Sequence, residues 1–133
     1  PQGLVVPVVR DVGNKSIGDV AAELARLRAA ARAGGLAPGD VARPTFTLSN
    51  IGAIGGTYMS PVVAPPQVAI GAIGAARRVP RFAGDSDAVV AATVANVSWA
   101  ADHRVVDGAT MAGFSNAVKE LLEDPTAFLK HLK

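Results

Sequence analysis

The spacing of apolar positions changes several times along the chain, and each change predicts an element. The Val-rich run from Gly3 to Arg10 predicts a strand, with Pro7 restricting it to an edge or a bulge. Beyond it, Ile17, Val20, Ala21, Leu24, Leu27 and Ala31 recur with the i, i+3, i+4, i+7 rhythm of an amphipathic helix ending near Arg32. Ser16 stands at its N-cap with Asp19 three residues on, and Gly34 and Gly35 stop it. LAPGDVARP reads as a loop. Thr45 to Asn50 predicts a short strand, and the unbroken apolar run from Gln67 to Ala76 a central one. Between them, the glycines and prolines of IGAIGGTYMSPVVAPP forbid a long element, while its aliphatic residues predict a buried loop. RRVPRFAGDSD predicts a hairpin-like turn, and Ala88 to Ala101 one long strand apolar on both faces. From Gly108 a second helix carries Met111, Phe114, Val118, Leu121 and Leu122 on one face. Asp124-Pro125 ends it, and Phe128, Leu129 and Leu132 predict a last turn or two. Strands interleaved with helices place the chain in the α/β (α+β) class.

Composition sharpens this picture in two places. The 133 residues suit one domain with a modest core, and with only 5% aromatic residues that core must rest on Val, Ile, Leu and Ala. Charged residues make up 18%, below the usual quarter, so burial against other subunits is expected. The net charge is +2, but the arginines are scattered, with no basic helix or stripe of the nucleic-acid kind. A small anionic ligand suits a few of them better. There is no cysteine, which excludes disulfides, cysteine–zinc sites and a thiol nucleophile from the chain. No signal peptide or long apolar span points to a membrane.

Candidate chemistry concentrates at a few positions. His103 lies where the long strand turns towards the second helix, a place where an imidazole can act as a general base near neutral pH. Asp107 could orient it, directly or through Arg104. Equally, Asp107 occupies an N-cap position, and His103 could be a satisfied structural histidine. Two histidines, with His131 near a solvated end, are too few for a metal site. Ser49 and Asn50 end a strand before a glycine-rich loop, where hydroxyl and amide can donate to an oxyanion or simply make a turn. No G-x-S-x-G elbow surrounds Ser49. Arg28 falls at the helical angle between Ile17 and Ala21, inside the apolar face, so it must snorkel, pair, or meet an anion. Neither GAIGGTYM nor GAIGAA has dinucleotide-fingerprint spacing, though small residues in the latter admit a close neighbour or ligand.

FTLSNIGAIGGTY, PPQVAIGAIG, NVSWAADHR and DHRVVDGA, in that order, resemble one family across essentially the whole chain: the catalytic domain of dihydrolipoamide acyltransferases of 2-oxo acid dehydrogenase complexes. The segments are most similar to the branched-chain type, with an acetyl-transferring, pyruvate-type member as the alternative. The resemblance implies a chloramphenicol-acetyltransferase-like fold, a mixed sheet with flanking helices, of which residues 1–133 match roughly the C-terminal half. The lipoyl and peripheral-subunit-binding domains of the family are expected to lie outside residues 1–133. It implies acyl transfer between dihydrolipoamide and coenzyme A, with His103 as general base, Ser49 stabilising the tetrahedral oxyanion, and Asp107 as the second active-site position. Coenzyme A contacts are implied at Arg28, Ser49, Asn50, Gly74 and Ala76. The lipoyl group is carried elsewhere, and no metal is involved. The resemblance further implies a homotrimer with sites between subunits, building a larger 24-subunit core. Decarboxylase and dihydrolipoamide dehydrogenase partners dock through other domains. A mitochondrial matrix location is implied, with bacterial cytoplasm as the alternative. Two other readings are an acetyltransferase acting on a free alcohol and a non-catalytic core subunit or fragment. Retention of His103, Ser49 and Asp107 argues against the scaffold.

Overall fold

A computed structural model describes residues 3–130. The chain divides into two compact units, Pro1–Pro44 and Thr45–Lys133.

In the first unit, α1 (Ile17–Arg32) starts where local chemistry dictates. The Ser16 hydroxyl accepts from the Asp19 amide at 3.1 Å, and the Asp19 carboxylate accepts from the Ser16 amide at 3.0 Å, so two orphan donors are satisfied reciprocally. Gly34 then adopts a left-handed φ of 68°, and the helix stops as expected. Ser16→Ala should lower stability by about 1 kcal/mol; a shifted urea midpoint with an unchanged slope is the check. Arg26 donates to both Glu23 and Asp40, tying α1 to the following 3-10 turn at Pro38–Asp40.

Gly3 to Arg10 does not form the expected strand. The segment is irregular, and its backbone contact within the unit is a bond from the Val8 amide to the Asp40 carbonyl, 2.7 Å. Valine content favours extended backbone, but a strand also needs a ladder partner. The helix face also differs from its pattern. Leu27 is fully buried and Val20, Glu23 and Ala30 are half-buried, whereas Ile17, Ala21, Leu24 and Arg28 form an exposed stripe. Arg28 has the angular position that spacing assigns it, but not the burial. The apolar arc is wider than the surface that covers it.

The second unit holds a three-stranded mixed sheet. β2 (Ala69–Ile73) is central, parallel to β1 (Thr47–Asn50) and antiparallel to β5 (Val97–Ala101). Four of the five β2 residues are buried, which explains its unbroken apolar run. Trp99, Phe46 and Phe114 pack together on this sheet and α2 (Gly108–Glu123), Trp99 meeting Phe114 edge-on at 5.2 Å between ring centres. The Trp99 indole donates to the Ser115 hydroxyl at 3.0 Å. Gly71 lies directly under Trp99, where a Cβ would overlap the indole. The small residue therefore serves core packing here. A 3-10 segment, Pro125–Lys130, follows α2 as expected, with Ala127 buried; Leu132 and His131 lie outside the described residues.

The long strand expected over Ala88 to Ala101 is two strands. β4 (Val89–Val94) pairs with β3 (Arg77–Phe82) in a separate antiparallel hairpin, and only β5 joins the main sheet. The break falls at Ala95 and Asn96, where the Asn96 carbonyl accepts from the Gly74 amide at 2.9 Å. RRVPRF is accordingly a strand, and the turn is confined to the residues between Phe82 and Val89, with Gly84 at a φ of 56°. Pro80 is tolerated because a two-stranded ribbon leaves amides unpaired on its outer edges.

The loop after β1 satisfies its backbone on the end of β2. Ile51 and Gly52 amides donate to the Ile73 carbonyl, and the Ala75 amide donates to the Gly56 carbonyl at 2.7 Å. Its aliphatic residues are not buried in the single chain: Ile54 is 88% and Val62 83% exposed. With Leu4 at 95%, they leave apolar surface of the kind that other protein normally covers.

Candidate functional site

The corner between β5 and α2 is built around one residue, Asp102. Its amide donates to the Val68 carbonyl at 2.8 Å, extending the β2–β5 ladder by one rung. Its carbonyl accepts from the amides of Val105 and Val106, both at 2.9 Å, closing the turn. Its carboxylate accepts from the Arg104 amide at 3.0 Å and from the Arg104 guanidinium through Nε at 2.9 Å and Nη2 at 2.6 Å. His103 sits between these two clamped residues, exposed at the apex of the turn. The Arg104 guanidinium, and next its backbone amide, push the Asp102 carboxyl down to about 2. A depressed carboxyl pKa stabilises the fold at pH values above its unfolded value, about 4. That contribution is lost as pH falls through about 2, so the clamp is intact across neutral pH.

Asp107 is the N-cap of α2, its carboxylate accepting from the Thr110 amide at 2.7 Å. The Thr110 amide and then its hydroxyl hold that carboxyl below the ordinary range. The capping reading of Asp107 is therefore correct. Arg104, the intermediary considered between Asp107 and His103, is engaged by Asp102 in this chain. Asp102 was not singled out from sequence, although an aspartate two residues before an arginine at a strand end is a recognisable Asx-turn signal.

Ser49 and Asn50 close β1, Ser49 half-buried and Asn50 exposed. Gly74 is buried and presses on the loop, where a Cβ would collide with the Thr57 carbonyl. Ala76, by contrast, is exposed just before β3. Arg28 belongs to the first unit, exposed and without a side-chain hydrogen bond among the described residues. A groove of about 740 Å³ beside the hairpin, with Tyr58, Arg77, Phe82 and Asn96 in its wall, includes none of these candidates.

Register decides what the single chain can do. Ser49 pairs with Ala72, and Ala72 with Ser98, whereas His103 lies beyond the Ala69–Ala101 pair. Those rows are three residues, roughly 10 Å, apart along the strands, with two strand spacings of roughly 5 Å each between β1 and β5. Ser49 and His103 thus stand at opposite ends of one sheet. One chain does not bring them to a common reacting atom, which requires contacts near 3 Å.

With its small sheets and two helices, the chain has the mixed α/β fold of the acyltransferase catalytic cores. The chain superposes with a TM-score of 0.89 on Azotobacter vinelandii dihydrolipoamide acetyltransferase, at 40% identity, covering 97% of this chain and 52% of that one. For that enzyme, the roles of a serine, a histidine and an asparagine in the catalytic mechanism were investigated. The family model of the 2-oxoacid dehydrogenases acyltransferase catalytic domain matches residues 1–130, and the chain belongs to this family. It is 54% identical over 133 residues to the mitochondrial lipoamide acyltransferase component of the branched-chain alpha-keto acid dehydrogenase complex of Caenorhabditis elegans, and 52% identical over 132 residues to that of Bos taurus. These matches span the chain but only 30% and 27% of those proteins.

Proposed function

We propose that this chain is the C-terminal part of a catalytic core that transfers acyl groups, branched-chain ones in particular, between dihydrolipoamide and coenzyme A. The observation that carries the branched-chain reading is identity over the full chain: 52–54% to the animal branched-chain components above, against 38% to the pyruvate dehydrogenase acetyltransferase of Bacillus subtilis. The animal relatives also favour a mitochondrial location. Among the described residues no helix is long and apolar enough to cross a membrane.

In this reading His103 Nε2 removes the proton from the thiol of coenzyme A, and the thiolate attacks the carbonyl carbon of the acyl-dihydrolipoamide thioester. The oxyanion of the tetrahedral intermediate accepts a hydrogen bond from the Ser49 hydroxyl of a neighbouring subunit. Collapse breaks the other C–S bond, and the departing dihydrolipoamide sulfur recovers the proton from the imidazolium. The reverse direction exchanges the two thiols. The placement of Ser49 and His103 at opposite ends of one sheet supports a site completed between subunits, in keeping with a trimer within a larger 24-subunit core. The fold of the Azotobacter enzyme adds support, because its histidine and asparagine are four residues apart, the spacing of His103 and Asp107. Asparagine and aspartate are both strong N-caps, so Asp107 holds the helix that follows the base.

For coenzyme A as substrate, the candidate contacts are Ser49, Asn50, Gly74 and Ala76 in the second unit and, in the first, Arg28, an exposed guanidinium of the kind that takes a phosphate. The lipoyl arm and the docking of decarboxylase and dehydrogenase components belong to domains outside this chain. The test is transfer from isobutyryl-, isovaleryl- and acetyl-CoA to dihydrolipoamide by the assembled protein. Preference for the branched esters supports the proposal; preference for acetyl-CoA makes it a pyruvate-type enzyme, and transfer only to alcohols overturns it. Ser49→Ala should lower kcat by about 10²-fold at unchanged assembly size; an unchanged kcat removes Ser49 from oxyanion stabilisation.

A further inference from the structure

We infer that Asp102 and Arg104 act as a positioning pair that sets the orientation of the turn carrying His103. The inference rests on the proposed role of His103 as base. An exposed ion pair contributes little stability by its charge alone, and the Arg104 side chain is 88% exposed in this chain. The geometry here does something else. Asp102 is bonded through every polar group it has: its amide to β2, its carbonyl to Val105 and Val106, and its carboxylate to the amide and guanidinium of Arg104.

The residue before His103 is thus fixed to the sheet, and the residue after it is fixed to the residue before. That leaves the imidazole little freedom beyond its own side-chain torsions. The base needs this, because a misplacement of about 1 Å can cost on the order of 10²-fold in rate. Asp107 secures the start of α2, so the corner is held from both ends, with His103 carried on the Asp102 end. Arg104 suits the task better than lysine because its planar fork meets both carboxylate oxygens at once, Nε on Oδ1 and Nη2 on Oδ2.

The experiment uses the assembled enzyme and four variants: Asp102→Asn, Arg104→Ala, Arg104→Lys and the double Asp102→Asn/Arg104→Ala. Asp102→Asn keeps an oxygen for the Arg104 amide and so preserves the turn while removing the charge. Arg104→Ala and Asp102→Asn should each lower kcat by roughly 10-fold, with KM for coenzyme A unchanged and assembly size and Tm retained. The double variant should be no slower than the slower single, because the pair works as a unit. Arg104→Lys should recover part of the loss. The inference is overturned by kcat values that stay at wild type, by additive losses in the double variant, or by a raised KM at constant kcat, which makes Arg104 a ligand contact. His103→Ala, assayed in parallel, tests the base reading independently: full activity there sinks that reading, whereas activity lost there but kept in the pair variants sinks only the inference about the pair.

Discussion

His103→Ala should reduce kcat for acyl transfer by about 10²- to 10⁴-fold while leaving the assembly intact. The size of the effect follows from the chemistry. A thiol at neutral pH is mostly protonated, and removing its proton within the complex is the contribution the imidazole makes. The structural cost should be small, because His103 is exposed at a turn apex whose backbone bonds run through Asp102, Val105 and Val106. Equal rates for wild type and variant, at equal oligomeric size, would return His103 to the status of a structural residue. A mixing experiment goes further. If Ser49 of one subunit serves His103 of another, co-assembled Ser49→Ala and His103→Ala subunits form some sites with both native residues, on the order of a quarter when they mix randomly in a closed ring. Activity regained on mixing two nearly inactive proteins supports the shared site. No recovery from mixed assemblies contradicts it, and so would any arrangement that placed Ser49 and His103 of one chain together.

The second large effect is expected at Gly74. A methyl group there would meet the Thr57 carbonyl, with the Gly56 carbonyl 3.2 Å away, and neither is a flexible side chain that can step aside. Gly74→Ala should therefore destabilise the protein by about 3 kcal/mol or prevent it from folding. Gly113→Ala, inside α2 with nothing within 4 Å of the new methyl, is the control and should stabilise by about 1 kcal/mol. Urea unfolding of the two variants decides the matter. A neutral Gly74→Ala would mean that the loop after β1 does not press on the end of β2.

How much of this could be read in advance depends on how local each cause is. Ser16 and Asp19 cap α1 because the partners are three residues apart, and Asp107 caps α2 for the same reason. The bounds of α1 and the central place of β2 follow from periodicity and from an unbroken apolar run, both visible in the sequence. His103 at a strand-to-helix corner was legible too, since strand, turn and cap are consecutive along the chain.

Other features depended on partners distant in sequence. An apolar run from Ala88 to Ala101 does not reveal that Asn96 will turn its carbonyl to Gly74 and send the two halves to different sheets. Valines in Gly3 to Arg10 favour extension, yet only a neighbouring strand could have made that segment part of a sheet. The exposure of Arg28, Ile54 and Val62 likewise reflects which surfaces meet, and helical or apolar spacing records only which could. By itself, the sequence determined the caps, the helices, the central strand and the family to which its motifs belong. The tertiary structure decided the division into two sheets, the engagement of Arg104 by Asp102, and the placement of Ser49 and His103 at opposite ends of one sheet. Hydrogen bonds between near neighbours follow from residue spacing, whereas strand pairing and register depend on surfaces that come together only when the chain folds.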